Sequence, residues 1–196
     1  MRKLCILLFI SIMTYSVTNG QFTKIGGGLG YSSAYQFHDM PWSANRSGHL
    51  NIFLNGIYKS NLPILISPSF TYLLPHITTE EQVGEETTTT VSTMMFDING
   101  HYVFNSLDKF EFYGLAGLDI LLAWKKEVYS SITATNKESD NALGLNLGVG
   151  SCMKITEQIN LYAEAKYIVS KYDQFMLNAG ILFNIDWMKK QDTPGK

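Results

Sequence analysis

The chain has 196 residues, enough for one all-β domain, with 15 basic and 17 acidic residues and a net charge of −2. Charged residues make up 16% of it, against roughly 25% in ordinary soluble domains, while aromatic residues reach 13% and mean hydropathy is near zero. The acidic balance argues against nucleic acid as a partner, and no internal apolar run of about 20 residues exists to form a transmembrane helix.

Residues 1–20 read as an export signal. Arg2 and Lys3 are basic, Leu4 to Met13 is the apolar core, and Thr18, Asn19 and Gly20 precede a cleavage point before Gln21. A membrane anchor is the competing reading, but the run is too short to span and polar residues follow at once. Without Arg2 and Lys3 the 15 basic residues fall to 13 against 17 acidic ones, a charge of about −4. Cys5 leaves with the signal, so Cys152 stands alone and no internal disulfide is expected.

The first strand is expected from Phe22 to about Gln36. Its glycines, Gly26, Gly27, Gly28 and Gly30, resemble a phosphate loop only superficially, since neither a Lys-Ser/Thr pair nor a helical pattern follows. They suit strong coiling and close packing at a barrel seam. A polar loop to Gly48 holds Trp42 and Arg46, candidates for touching a partner; Trp42 is equally suited to anchor at an interface. The second strand spans His49 to Lys59 and the third Pro63 to Leu74, with Pro68 marking a bulge or a break in its ladder.

A long loop is expected over residues 75–90. Its Glu80, Glu81, Glu85 and Glu86 lack the alternating ligands and central glycine of a calcium loop, so it reads as solvated. The fourth strand, Val91 to Phe104, alternates Met94, Phe96 and Ile98 with Thr93, Asp97 and Asn99. The fifth runs from Phe110 to Trp124, and a third long loop is expected over residues 125–140. From Asn141 to Ile185 two registers interleave over three strands, with breaks at residues 156–160 and 170–173. One register holds Leu143, Leu145, Leu147, Leu161, Tyr167, Phe175 and Leu177; the other holds Gly144, Asn146, Glu164, Lys166 and Asn178.

These features specify an all-β fold, an eight-stranded antiparallel up-and-down transmembrane β-barrel over residues 21–187, followed by a disordered tail at 188–196. Ten residues at about 3.3 Å each, tilted about 40°, rise roughly 25 Å, the height of the apolar band of a membrane. A lipocalin-like soluble barrel would invert the two faces. The polar register decides against that, because it is mostly Gly, Asn, Ser, Thr and Tyr rather than the Lys and Glu of a watery surface. Tyr31, Tyr58, Tyr72, Tyr102, Trp124, Tyr167 and Trp187 lie near strand ends, as interface girdles do.

In this pattern the chain resembles the small outer-membrane barrels of Gram-negative bacteria, the OmpX/OmpA-type and PorT-like families, over roughly Phe22 to Trp187. The resemblance implies an outer-membrane location, contact with outer-membrane lipid and lipopolysaccharide, and a final strand (Phe175, Leu177, Ala179, Ile181, Phe183) read by the barrel-assembly machinery. Ile185 and Trp187 continue that register, so the strand ends at Phe183 or at Trp187.

The expected function is non-enzymatic: an envelope-structural barrel, or one whose loops bind an extracellular protein or glycan, without a large pore and without cofactor or metal. Asp97, His101, Glu111, Asp119, Glu164 and Lys166 are candidates for a polar network inside the barrel, where unpaired charge would be costly. The alternative is a lipid-modifying enzyme such as a lipid A deacylase or acyltransferase, which requires a His beside a Ser or carboxylate. Of His38, His49, His76 and His101, only His101 has carboxylate and amide neighbours on its own face, at Asp97 and Asn99.

Overall fold

The structure is a computed structural model that describes residues 22–33, 49–59, 62–82, 85–129 and 135–185. Every regular element among them is a strand: β1 (Phe22–Ser32), β2 (His49–Lys59), β3 (Leu65–Gln82), β4 (Glu85–Ser106), β5 (Phe110–Tyr129), β6 (Thr135–Lys154), β7 (Ile159–Ser170) and β8 (Gln174–Asn184). Each pairs antiparallel with its neighbours in the chain, and β8 pairs with β1 to close the barrel. The export signal, Trp42, Arg46, His38, Trp187 and the C-terminal tail lie outside the described residues.

Closure needs the glycines of β1. Gly28 sits opposite Gly180 in the β1–β8 register. A Cβ at Gly28 would overlap the carbonyl oxygen of Ala179, and one at Gly180 would overlap that of Gly27. Only residues without side chains allow the two strands to approach this closely.

The strands differ in length, and here the structure departs from expectation. The third and fourth strands were expected to stop at Leu74 and to start at Val91, with a loop between. Instead β3 reaches Gln82 and β4 starts at Glu85, paired from Ile77↔Thr90 to Gln82↔Glu85. Likewise the expected loop over 125–140 is largely strand, paired from Lys125↔Glu138 to Val128↔Thr135. The physical reason is the content of these stretches. Thr78, Thr79, Thr87, Thr88, Thr89 and Thr90 are β-branched and favour extended backbone, and their polarity marks emergence from the apolar layer rather than the end of pairing.

Proline acts at two places in β3, and the break expected at Pro68 is one of them. The β2–β3 pairing lapses opposite Pro68 and resumes in the same register. The register shift in β3 falls between Leu73 and His76, at Pro75.

The outward register is apolar on every strand. Leu29, Leu50, Leu54, Ile98, Leu118, Leu143, Leu147 and Val149 are all exposed, which excludes the inverted, lipocalin-like arrangement. The inward register gathers its charged side chains in the middle and most of its apolar ones at the two ends. At the end with the longer strands, Leu73, Met95, Leu121, Ile168, Tyr172 and Met176 pack as one apolar cluster. At the end with the short turns, Phe53, Ile57, Tyr113, Leu115, Tyr162 and Leu182 form another. The expectation of a polar interior therefore needs correction: two apolar layers fill the barrel above and below a polar one. The signal for them is a triplet of apolar residues within an alternating strand, as in Ile52-Phe53-Leu54, Met94-Met95-Phe96 and Ile120-Leu121-Leu122. In each triplet the central residue faces the lumen and its neighbours face lipid.

Candidate functional site

Between the apolar layers lies a compact charged network. Lys166 on β7 and Asp97 on β4 are each 2% exposed, and the Lys166 Nζ donates to Asp97 Oδ2 at 2.9 Å. Asp97 also accepts from Ser69 Oγ at 2.8 Å and from Asn146 Nδ2 at 2.8 Å. Asn146 Nδ2 lies within the same distance, 2.8 Å, of Asn99 Oδ1. These residues come from four strands, so the network ties opposite walls of the barrel together.

A second group lies closer to the short-turn end. Glu164 Oε2 accepts from Tyr162 OH at 2.9 Å and Tyr113 OH at 3.4 Å, and His101 Nε2 is 3.8 Å away. His101 stacks flat on Tyr113 with ring centroids 4.4 Å apart. Asp119 faces Asp97 across the β4–β5 ladder and is buried. Glu111 is placed differently: it is half-exposed at the mouth of the barrel, where Lys24 Nζ lies 3.7 Å from its carboxylate. Thus five of the six interior candidates share one sealed layer, and Glu111 belongs to the rim. Sequence reasoning missed Tyr113 and Tyr162, whose hydroxyls serve Glu164.

Above the lumen stands a raised sheet. β2 pairs with β3 only as far as Leu73, and β7 pairs with β6 only from Gly144. Beyond those points β3, β4, β5 and β6 continue together as a four-stranded sheet. Among the described residues its outer strands each have one neighbour there, so each leaves one backbone edge unpaired. The side facing the barrel axis is cross-linked. Lys125 Nζ lies 3.0 Å from Glu127 and 3.2 Å from Glu138, Tyr129 OH donates to Glu127, and Asn136 bridges the same two carboxylates. Burial works against the charge of Lys125, but its bonds to Glu127 and Glu138 outweigh this and raise its pKa above the usual lysine value.

The β7–β8 turn folds across the mouth beside this sheet. Tyr172, 2% exposed, caps the upper apolar layer. Its hydroxyl donates to Asp140, as does Lys171 Nζ at 2.5 Å. Bonds from Lys171 and Tyr172 hold the Asp140 carboxyl down at about 2. A depressed carboxyl contributes stability that is complete above its unfolded value of about 4 and is lost as pH falls through the folded one. The turn is therefore expected to stay latched at pH 4 and to release only near pH 2. Titrating the Asp140 carboxyl by NMR checks this, and a midpoint near 4 would show that the latch does not form.

Comparison with known proteins places this geometry. The family profile described as "Outer membrane protein beta-barrel domain" matches residues 4–187. The chain has no match among curated protein sequences. Among solved structures it is similar to Ail, the attachment invasion locus protein of Yersinia pestis, at 14% identity and a TM-score of 0.54, over 83% of this chain and 97% of that one. It is similar to Neisserial surface protein A at 14% identity and a TM-score of 0.53, over 85% and 97%. It is also similar to a major outer membrane protein from Thermus thermophilus at 10% identity and a TM-score of 0.52, over 83% and 99%. At these identities the structural likeness is one of fold. The lipid-facing exterior, the closed eight-stranded topology and the family match agree: this chain belongs to the outer membrane protein beta-barrel domain family and is an integral β-barrel of the outer membrane.

Proposed function

We propose that this barrel is a non-enzymatic surface protein that presents its raised four-stranded sheet to an external protein or glycan. The observation that carries this reading is the extension of β3–β6 beyond their neighbours, over strands of 18 to 22 residues against 11 or 12 in the other four. In outer-membrane barrels the short turns face the periplasm and the longer connections face outward, so the sheet projects from the cell. Its edges, unpaired among the described residues, offer backbone N–H and C=O groups to an extended segment. The cross-linked inner side keeps the sheet in one shape, which lowers the ordering cost of binding.

The interior supports the absence of catalysis and of a pore. His101 and Glu164 are the nearest approach to an acid–base pair, yet they are 2% and 6% exposed and closed off by both apolar layers. Planar bilayers with the pure protein are expected to show no stable large conductance, and steady channels of porin size would overturn the filled-lumen reading. Lipid A profiles by mass spectrometry are expected to be identical in cells with and without the protein; a missing or added acyl chain would establish the enzyme instead.

Binding is tested by shortening both hairpins to the level of their neighbours, joining Leu74 to Ser92 and Trp124 to its partner Ser139 with Asn-Gly turns. The shortened barrel should still fold. Cells carrying the intact protein should adhere to protein-coated or glycan-coated surfaces and cells carrying the short form should not. A sulfated glycan is a reasonable first glycan, since Ail has been solved with the heparin analogue sucrose octasulfate. Equal adhesion by both forms would leave an envelope-structural role.

A further inference from the structure

The outer side of the raised sheet carries a feature that neither the lumen nor the free edges use. Lys126 on β5 and Lys137 on β6 are direct cross-strand partners. Both are exposed. Like charges directly opposite on an antiparallel pair repel, with Cβ atoms about 5 Å apart, and destabilise the ladder. Their sequence neighbours Glu127 and Glu138 offer no relief, because alternation sends them to the other side of the sheet, where both bind Lys125. Among the described residues neither lysine joins an ion pair. On the same side Thr90 is the partner of Lys126 across the β4–β5 ladder. Glu86 stands four residues further along β4, about 13 Å away at 3.3 Å per residue.

Height settles what such a pair would meet. The outward residues of β5 run Phe110, Phe112, Gly114, Ala116, Leu118, Ile120, Leu122 and Trp124, and the next is Lys126. The ten steps from Phe112 to Leu122 rise roughly 25 Å at about 3.3 Å each and a tilt of about 40°, the full apolar band. Trp124 then lies in the interfacial girdle, and Lys126 and Lys137 stand about 5 Å higher, in the headgroup layer. They stay on the lipid-facing side of the sheet as it leaves the membrane.

We propose that Lys126 and Lys137, with the Thr90 hydroxyl beside them, form a binding site for the phosphate of an outer-leaflet lipid, a phosphorylated lipid A headgroup. One phosphate between two ammonium groups removes their repulsion and fixes the base of the raised sheet against the membrane surface. Phosphate also suits two converging point charges on flexible stems. The site rests on the outward orientation of the longer strands and is independent of what the free edges bind.

The test uses the full-length protein folded in neutral detergent and titrated with bisphosphorylated lipid A, with bound lipid counted by native mass spectrometry. Removing both charges in Lys126→Gln/Lys137→Gln is expected to weaken binding about thirty-fold, from roughly tenfold or less per lysine near a membrane surface. Dephosphorylated lipid A should bind both forms alike. Heat-induced gel mobility supplies a second reading with opposite signs. In phosphatidylcholine vesicles the double variant should unfold at the same or a higher temperature than the parent, because the repulsion is gone. In vesicles containing lipid A it should unfold at a lower temperature than the parent. Equal lipid A binding by both forms, or a loss of stability of the same size in both vesicles, would overturn the proposal. The shortened barrel lacks Lys126 and Lys137 as well as the sheet edges, so the two readings are separated by the double variant, which keeps both hairpins: it should lose lipid A binding and still adhere as the parent does.

Discussion

Replacing Lys166 with Met is expected to lower the unfolding free energy of the barrel by about 3–5 kcal/mol, the cost of leaving a buried ion without its partner. Among the described residues, Lys166 brings the one lysine or arginine charge to a sealed layer that also holds Asp97, Asp119 and Glu164. The substitution keeps most of the apolar volume and removes only the charge. Ser69 and Asn146 remain as donors to Asp97, but neutral donors do not offset three carboxylates between two apolar walls. Urea unfolding in phospholipid vesicles, followed by tryptophan fluorescence, measures the loss. A change under about 1 kcal/mol would show that water reaches the layer and screens it. Replacing Asp97 by Asn in the same chain should recover part of the loss, because one of the unpaired carboxylates is then gone.

Gly28→Val is expected to cost more than about 3 kcal/mol, beyond the usual range for an overfilled core, because the atom struck is backbone. Added carbons at Gly28 meet the Ala179 carbonyl, so relief requires β1 and β8 to separate. That seam is where the first and last strands of the chain meet, and opening it exposes two rows of backbone groups to lipid. Without boiling, the variant should migrate on an SDS gel as unfolded chain, where the parent runs as a compact barrel. Gly114→Ala is the control. A Cβ there meets nothing within 4 Å, so it should leave the gel shift intact. A heat-modifiable band from Gly28→Val would mean that the seam has slack.

Much of the barrel is legible along the chain because alternation is a local property. His49 to Lys59 is bounded in the sequence as in the fold, and Leu143, Leu145 and Leu147 read as lipid-facing and are so. The candidate site is less legible. Asp97, His101, Asp119, Glu164 and Lys166 are visible as polar residues of one register, but Asp97 and Lys166 are 69 residues apart, and their pairing depends on the registers of every strand between them. Glu111 shares that register too, yet it sits at the mouth beside Lys24, because position along the strand decides depth.

The raised sheet shows the limit from the other side. A polar stretch rich in Thr and Glu has the polarity of a loop, and its β-branched threonines permit a strand without requiring one. It becomes strand because β4 and β5 carry their ladder past the membrane and each hydrogen-bonded pair positions the next.

By itself, then, the sequence determined the strand class, the number of strands and the side that faces lipid, since each follows from a two-residue period and from the cost of placing charge in hydrocarbon. Only the tertiary structure decided that the lumen is closed by apolar layers at both ends, that one lysine serves the central carboxylates, and that Lys126 stands directly opposite Lys137. Those facts depend on the stagger between strands, a property of the closed barrel that no single strand contains.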